Sequence, residues 1–202
     1  MSTATEKSDR AKVVRRRLCA VGCALSLIFG WAGPSRAAQQ DIAQEYVWKA
    51  NFLAKSASFV EWQTDSPLQA ANAFRWCVYG NFSFGTTLAE MTRDIVVDGK
   101  RSEVKWVHKE TELASCQIVF VSRSEEKRYA KILDAARPGR ALTVGETVTF
   151  LEAGGMVALL MDGKTPQFEV NLEPVGACRL KLSSRMLSLA RRVVNQATAA
   201  KG

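Results

Sequence analysis

Histidine is nearly absent from this chain: among 202 residues there is one, His108. That count excludes a His-rich metal centre and His-based triads, and no Cys or His stands at ligand spacing from His108. No G-x-S-x-G elbow surrounds Ser122, Ser183 or Ser184, so these serines read as solvated or capping groups. Repeats, low-complexity tracts and internal linkers are also missing. No mostly apolar stretch reaches the roughly 20 residues of a bilayer-spanning helix. What is there is an ordinary globular balance, 47% apolar and 24% charged, too apolar for a disordered chain and long enough for one domain with a core.

The first 37 residues have the layout of a secretory signal. Arg15, Arg16 and Arg17 form a positive region, and Leu18 to Trp31 is an uncharged stretch of 14 residues. Gly33 and Pro34 break it, and Ser35-Arg36-Ala37 places small residues at −3 and −1 for cleavage after Ala37. An uncleaved membrane anchor is the alternative, and the shortness of the stretch argues against it. The Arg15-Arg16 pair permits a twin-arginine route.

Removing such a leader changes the charge argument. Seven of the 28 basic and two of the 20 acidic residues lie in it, leaving 21 against 18, a net of +3. The basic pI near 9.4 is therefore partly a targeting feature and poor evidence for nucleic-acid binding. Cys19 and Cys23 leave with the leader. Cys77, Cys116 and Cys178 remain, in a compartment where disulfides persist. Three cysteines allow three pairings and leave one thiol over.

Periodicity in the remainder predicts one α/β domain over residues 38–202: a single compact sandwich with a mixed sheet and flanking helices. Asp41 to Trp62 has a helical stripe of Ile42, Tyr46, Ala50, Leu53, Ala57 and Val60. Phe74 to Tyr79 reads as a strand and Phe84 to Met91 as a short helix. Ile95 to Val97 and Val104 to Val107 flank an Asp98-Gly99 turn. Gln117 to Val121 is the pattern of a strand buried on both faces. A helix from about Ser124 to Ala136 has Ser124 as cap and ends at Pro138-Gly139. Ala141 to Val144 is a strand, Thr147 to Leu151 a short helical or irregular segment, and Gly154-Gly155 a turn. Met156 to Met161 and Gln167 to Leu172 form a hairpin about Asp162-Gly163. Leu180 to Gln196 reads as a closing basic amphipathic helix.

Few motifs carry chemistry. Gly80-Asn81-Phe82-Ser83-Phe84-Gly85 lies between a strand and a helix, where backbone N–H groups can meet a phosphate. It lacks the following Lys-Ser/Thr and the full dinucleotide fingerprint, so a tight turn is the commoner explanation and a ligand turn at Gly80, Phe84 and Gly85 the sharper one. Glu169 is a lone acid within a strand, weak evidence for acid–base work. Lys181, Arg185, Arg191 and Arg192 read as a solvated face. Cys77 and Cys116 fall in or beside two predicted core strands. Neighbouring strands bring Cα atoms within disulfide range, and two buried free thiols are the alternative.

Several short stretches together resemble the YfiR family of exported bacterial regulators. They are Tyr46-Val47-Trp48-Lys49-Ala50-Asn51-Phe52-Leu53 with Phe59-Val60-Glu61-Trp62, Cys77-Val78-Tyr79-Gly80 with Phe84-Gly85, and Cys116-Gln117-Ile118-Val119-Phe120-Val121-Ser122. Leu142-Thr143-Val144-Gly145, Gly154-Gly155-Met156, Phe168-Glu169-Val170-Asn171 and Leu180-Lys181-Leu182-Ser183-Ser184 follow in family order.

The resemblance implies a periplasmic, non-enzymatic α/β protein without a cofactor, often a homodimer. It implies binding to the periplasmic domain of a membrane-anchored diguanylate cyclase, which is held inactive. An OmpA-like outer-membrane lipoprotein can draw the repressor away. The family positions of Cys77 and Cys116 support a bond between them. Leu151 and Ala158 stand where some members carry a second cysteine pair. Matching positions put the partner-binding surface around Met156, Val157, Phe168, Glu169 and Val175, apolar groups with one charge and equally compatible with a core. A periplasmic small-ligand sensor using the Gly80–Gly85 turn is the alternative function.

Overall fold

The computed structural model describes residues 36–62, 68, 70–82 and 86–195. In chain order these form α1 (Arg36–Ser56), β1 (Val60–Glu61), β2 (Ala73–Tyr79), α2 (Thr87–Thr92), β3 (Val96–Val97), β4 (Lys100–Val107) and β5 (Ile118–Val121). Then come α3 (Tyr129–Ala136), β6 (Leu142–Gly145), α4 (Val148–Glu152), β7 (Val157–Asp162), β8 (Thr165–Asn171), α5 (Leu172–Ala177), β9 (Lys181–Leu182), α6 (Ser184–Leu189) and β10 (Arg192–Val194).

The main sheet has eight strands in the order β10-β8-β7-β6-β5-β2-β4-β3, and β1 pairs with β9 in a separate antiparallel ribbon. The central run β4-β2-β5-β6-β7 is parallel, while β3 and β8 are antiparallel to their neighbours β4 and β7. This is the mixed sheet with flanking helices that the alternating helix and strand signals predict.

Helices cover both faces, so the strands at the centre of the sheet are mostly apolar. All four residues of β5 are buried. Along β2, Phe74, Trp76 and Val78 join the core beneath α1 and α2, while Cys77 and Tyr79 join the core beneath α3. Trp76 donates its indole N–H to the Leu53 carbonyl at 3.0 Å, which satisfies a buried donor and fastens α1 to the sheet. Trp62 and Trp76 both pack on Phe74, at centroid distances of 5.2 and 4.6 Å.

Three elements differ from expectation. α1 stops at Ser56 instead of running to Trp62. The Ser56 and Ser58 hydroxyls bond the carbonyls three residues back, and β-branched Val60 turns extended to pair with Leu182. The helix expected from Ser124 starts as a 3-10 turn, Arg123–Arg128, capped by Ser122, whose side chain accepts from the Ser124 N–H. The closing helix expected over residues 180–196 is instead β9, α6 and β10. Ser183 (φ −64°, ψ 146°) caps α6, and after Ala190 (ψ 135°) the segment extends to pair in parallel with Glu169, Val170 and Asn171 of β8.

Candidate functional site: the carboxyl ends of the parallel strands

Along the parallel run the chain goes first outward from β2 to β4 and then back across to β5, β6 and β7. The reversal lies between β2 and β5, and such a switch point opens a crevice outside the carboxyl ends of the strands. Here Gly80 follows β2 and Ser122 follows β5.

The two turns are stapled together. Asn81 N–H donates to Ser124 Oγ at 2.8 Å, and the Ser122 hydroxyl donates to the Asn81 carbonyl. Gly80 has φ +95°, and a Cβ there would lie 2.7 Å from Glu125 Cγ and 2.9 Å from Ser124 Oγ. Glycine is required by both backbone and space. One of the N–H donors that a phosphate would need is thus already engaged. Phe84 and Gly85 of the expected ligand turn lie outside the described residues. On the β4 side, Gly80, Phe82, Trp106 and His108 line a shallow cleft of about 240 Å³.

At the end of β6, Glu146 is sealed from solvent together with Lys49 of α1. Lys49 Nζ reaches Glu146 Oε1 at 2.6 Å and Glu45 Oε1 at 2.5 Å. Glu146 Oε2 accepts the Arg123 N–H at 2.9 Å, with Arg123 Nε 3.8 Å away. The Lys49 ammonium also lies 5.0 Å from the Tyr46 ring centroid. Burial, aided by the Glu146 charge, pushes the Tyr46 phenol above its ordinary range. Nothing in the local sequence announces this cluster as a whole. One member alone carries a signal: Lys49 stands three residues after Tyr46 and four before Leu53, on the stripe that faces the core.

The second hairpin holds the other charged centre. Glu169 is fully buried, and Arg191 and Arg192 each direct Nε and Nη2 at one of its oxygens, the two Nε contacts both at 2.9 Å. Burial pushes the Glu169 carboxyl up, but the hydrogen bonds from Arg192 and Arg191 outweigh it and hold it below the usual carboxylate range. The arginines are about half exposed. They are therefore not a freely solvated helical face but the clamp that fixes β10. Met156, Val157, Phe168 and Val175 sit together in the core beneath α1, and strand alternation turns Glu169 to the opposite face. The five residues of the expected partner surface are all buried, and beside Glu169 the hairpin meets solvent through the two guanidinium groups.

Cys77 and Cys116 form a disulfide with Cα atoms 5.9 Å apart. Cys178 is a buried free thiol, and burial raises its pKa. Ser183 caps α6 by accepting the Met186 N–H at 3.3 Å. Among the described residues no group of three or more His, Cys, Asp or Glu side chains is arranged to hold a metal ion, and no helix is long and apolar enough to cross a membrane.

Several solved structures match this chain in part. One is an ABC domain in complex with L-Trp from Streptococcus pneumonia, at TM-score 0.44 and 10% identity, covering 70% of this chain and 60% of that one. A conserved domain protein from Vibrio cholerae gives 0.48 and 10%, covering 73% and 60%. A substrate binding protein with adhesive properties from Clostridium difficile, in its ligand-free open form, gives 0.44 and 11%, covering 63% and 56%. This chain thus spans about 60% of the length of these proteins, and likeness at this level carries no functional information. Among curated proteins none matches the sequence significantly. The profile of the YfiR/HmsC-like family matches residues 46–191, and the chain belongs to that family.

Proposed function

We propose that this protein is a periplasmic negative regulator that binds the periplasmic sensor domain of a membrane-anchored diguanylate cyclase and represses cyclic-di-GMP synthesis. The observation that carries the reading is family membership across residues 46–191, since the YfiR/HmsC-like family is regulatory and non-catalytic and acts with such a sensor domain in the periplasm. Delivery there rests on the leader over residues 1–37, which is removed near Ala37. Repression works by differential binding: the regulator prefers the inactive state of its partner, and the shift is no larger than that preference. Moving a receptor from 99:1 to 1:99 takes about 5.5 kcal/mol of such preference. An OmpA-like lipoprotein relieves repression by competing for the regulator, which acts as a homodimer.

The docking surface surrounds the β7–β8 hairpin. Its outward groups include the guanidinium groups of Arg191 and Arg192, which Glu169 holds in place. Met156, Val157, Phe168 and Val175 support that surface from the core. The test deletes the gene, measures cyclic-di-GMP and captures crosslinked membrane partners. The expected result is a rise in the second messenger and a cyclase in the capture. An unchanged level with no cyclase captured would sink the proposal.

A further inference from the structure

The N-terminal half of α1 stands off the sheet. Residues Lys49, Ala50 and Leu53 are buried, whereas Asp41 to Gln44 are exposed. Below the exposed half lies the tip of the β7–β8 hairpin, where Met161 pairs with Pro166 on the face that carries Leu159 and Phe168. The wedge between helix and hairpin is a groove of about 560 Å³, within the size range of small-molecule sites.

Its walls are apolar and its charges are few. Trp48 and Ile42 face it from the helix, Met161 and Pro166 from the hairpin. Trp48 is held in place by Phe52, at a centroid distance of 6.1 Å, and Phe52 in turn by Phe168 at 5.0 Å. Three charged side chains line the groove: Asp41 and Glu45 against Lys164, an excess of one negative charge. Glu45 shares the Lys49 ammonium with the fully buried Glu146. Lys164 bridges the mouth to Asp41 at 2.9 Å, with 82% of its side chain exposed, so this strut is weak and readily displaced.

An aromatic face, a polarizable thioether and a carboxylate one helical turn from the indole are the groups that recognise an organic cation. We propose that the groove binds a small organic cation, an ammonium on an apolar body. The ammonium lies between Glu45 and the face of Trp48, and the apolar body rests on Met161, Ile42 and Pro166. Asp41 becomes a second acceptor when Lys164 swings away. The site is separate from the Gly80 turn and from the Glu169 clamp, and it does not depend on the identity of the macromolecular partner.

The test titrates the exported, processed protein with 2-phenylethylamine, 2-phenylethanol and phenylacetate, which share a body and differ in charge. Affinity is read by calorimetry, and the Trp48 indole N–H resonance is followed by NMR, assigned through Trp48→Phe. The amine binds saturably and about tenfold tighter than the alcohol, phenylacetate binds weakest, and the Trp48 resonance moves. Glu45→Gln, which keeps the Lys49–Glu146 pair, removes the preference for the amine and leaves the alcohol unchanged. Lys164→Ala, at an exposed position that does not threaten folding, tightens the amine by roughly threefold. Equal binding of all three probes, no saturable binding of the amine, a stationary Trp48 resonance, or a Lys164→Ala protein that binds the amine no better would each overturn the proposal.

Discussion

Lys49 and Glu146 lie 97 residues apart in the chain and 2.6 Å apart in the fold, both shut off from solvent. Two ions buried together are tolerable because each answers the other, and because Arg123 and Glu45 supply further contacts. The pair fixes α1 against the carboxyl end of β6, and so sets the angle at which the front half of the helix leaves the sheet.

Removing one member leaves the other buried and uncompensated. Lys49→Met should therefore cost about 3–5 kcal/mol in urea unfolding, since it leaves Glu45 and Glu146 facing each other. Glu146→Gln should cost less, because Glu45 still neutralises Lys49. The double variant Lys49→Met/Glu146→Leu should recover most of the loss. Strictly additive costs in the double variant would contradict a mutual pair.

The Cys77–Cys116 bond closes a loop with a sequence separation of 39. On the chain-entropy model that closure restricts the unfolded state by about 4 kcal/mol. Cys77→Ala/Cys116→Ala should lower stability by an amount of that order and should make the protein insensitive to reductant. Cys178→Ala should leave the response to reductant intact, because its thiol is buried and unbonded. Mass mapping of the exported protein without reductant should recover the Cys77–Cys116 peptide pair.

How much of this was legible beforehand depends on the range of the forces involved. Ile118 to Val121 announces a strand covered on both faces by composition alone, and Asp162-Gly163 announces a hairpin turn, because both signals are local. The end of the chain is misleading for the same reason. Arg185, Arg191 and Arg192 have the spacing of a helical face, yet residues 191 and 192 are drawn straight by Glu169, more than 20 positions earlier. Phe168 and Val170 alternate with polar neighbours, which fits a half-exposed strand. Only the docking of α1 on that face puts them in the core. The Lys49–Glu146 pair has a visible half, a lysine on a core stripe, but nothing near either residue names the other.

The clamp on Glu169 makes stability depend on acid. Its carboxyl is held below the usual range, so the stabilisation it contributes is complete above about pH 4.5 and is lost as pH falls through the lowered value. Glu169→Gln should lose stability at neutral pH and gain a flatter profile. The drop in urea midpoint between about pH 7 and about pH 3 should be smaller in the variant than in the parent. Amide exchange at Val193 and Val194 should speed up in the variant, since among the described residues β10 pairs only with residues 169–171. Identical acid sensitivity in the two proteins would show that the arginines do not hold this carboxylate.

Phe150 explains two glycines that no turn requires. A Cβ on Gly145 would stand 2.3 Å from Phe150 Cγ, and one on Gly155 would stand 2.2 Å from Phe150 Cδ1. Neither glycine has a positive φ, so the constraint is space: the ring is fully buried and meets Tyr129 edge-on at 5.0 Å, and at Gly155 the Phe150 carbonyl oxygen would also lie 2.7 Å from the Cβ. Gly154 beside them is different, with φ +96°. Gly155→Ala should cost about 1–3 kcal/mol by overpacking, and Phe150→Ala, which removes the ring atoms in the way, should return part of that in a double-mutant cycle. Gly154→Ala should also destabilise, through backbone strain, and Phe150→Ala should not rescue it. Thermal denaturation of these three single variants and the two doubles that pair each glycine with Phe150 separates the two causes, and equal rescue at both glycines would refute the assignment.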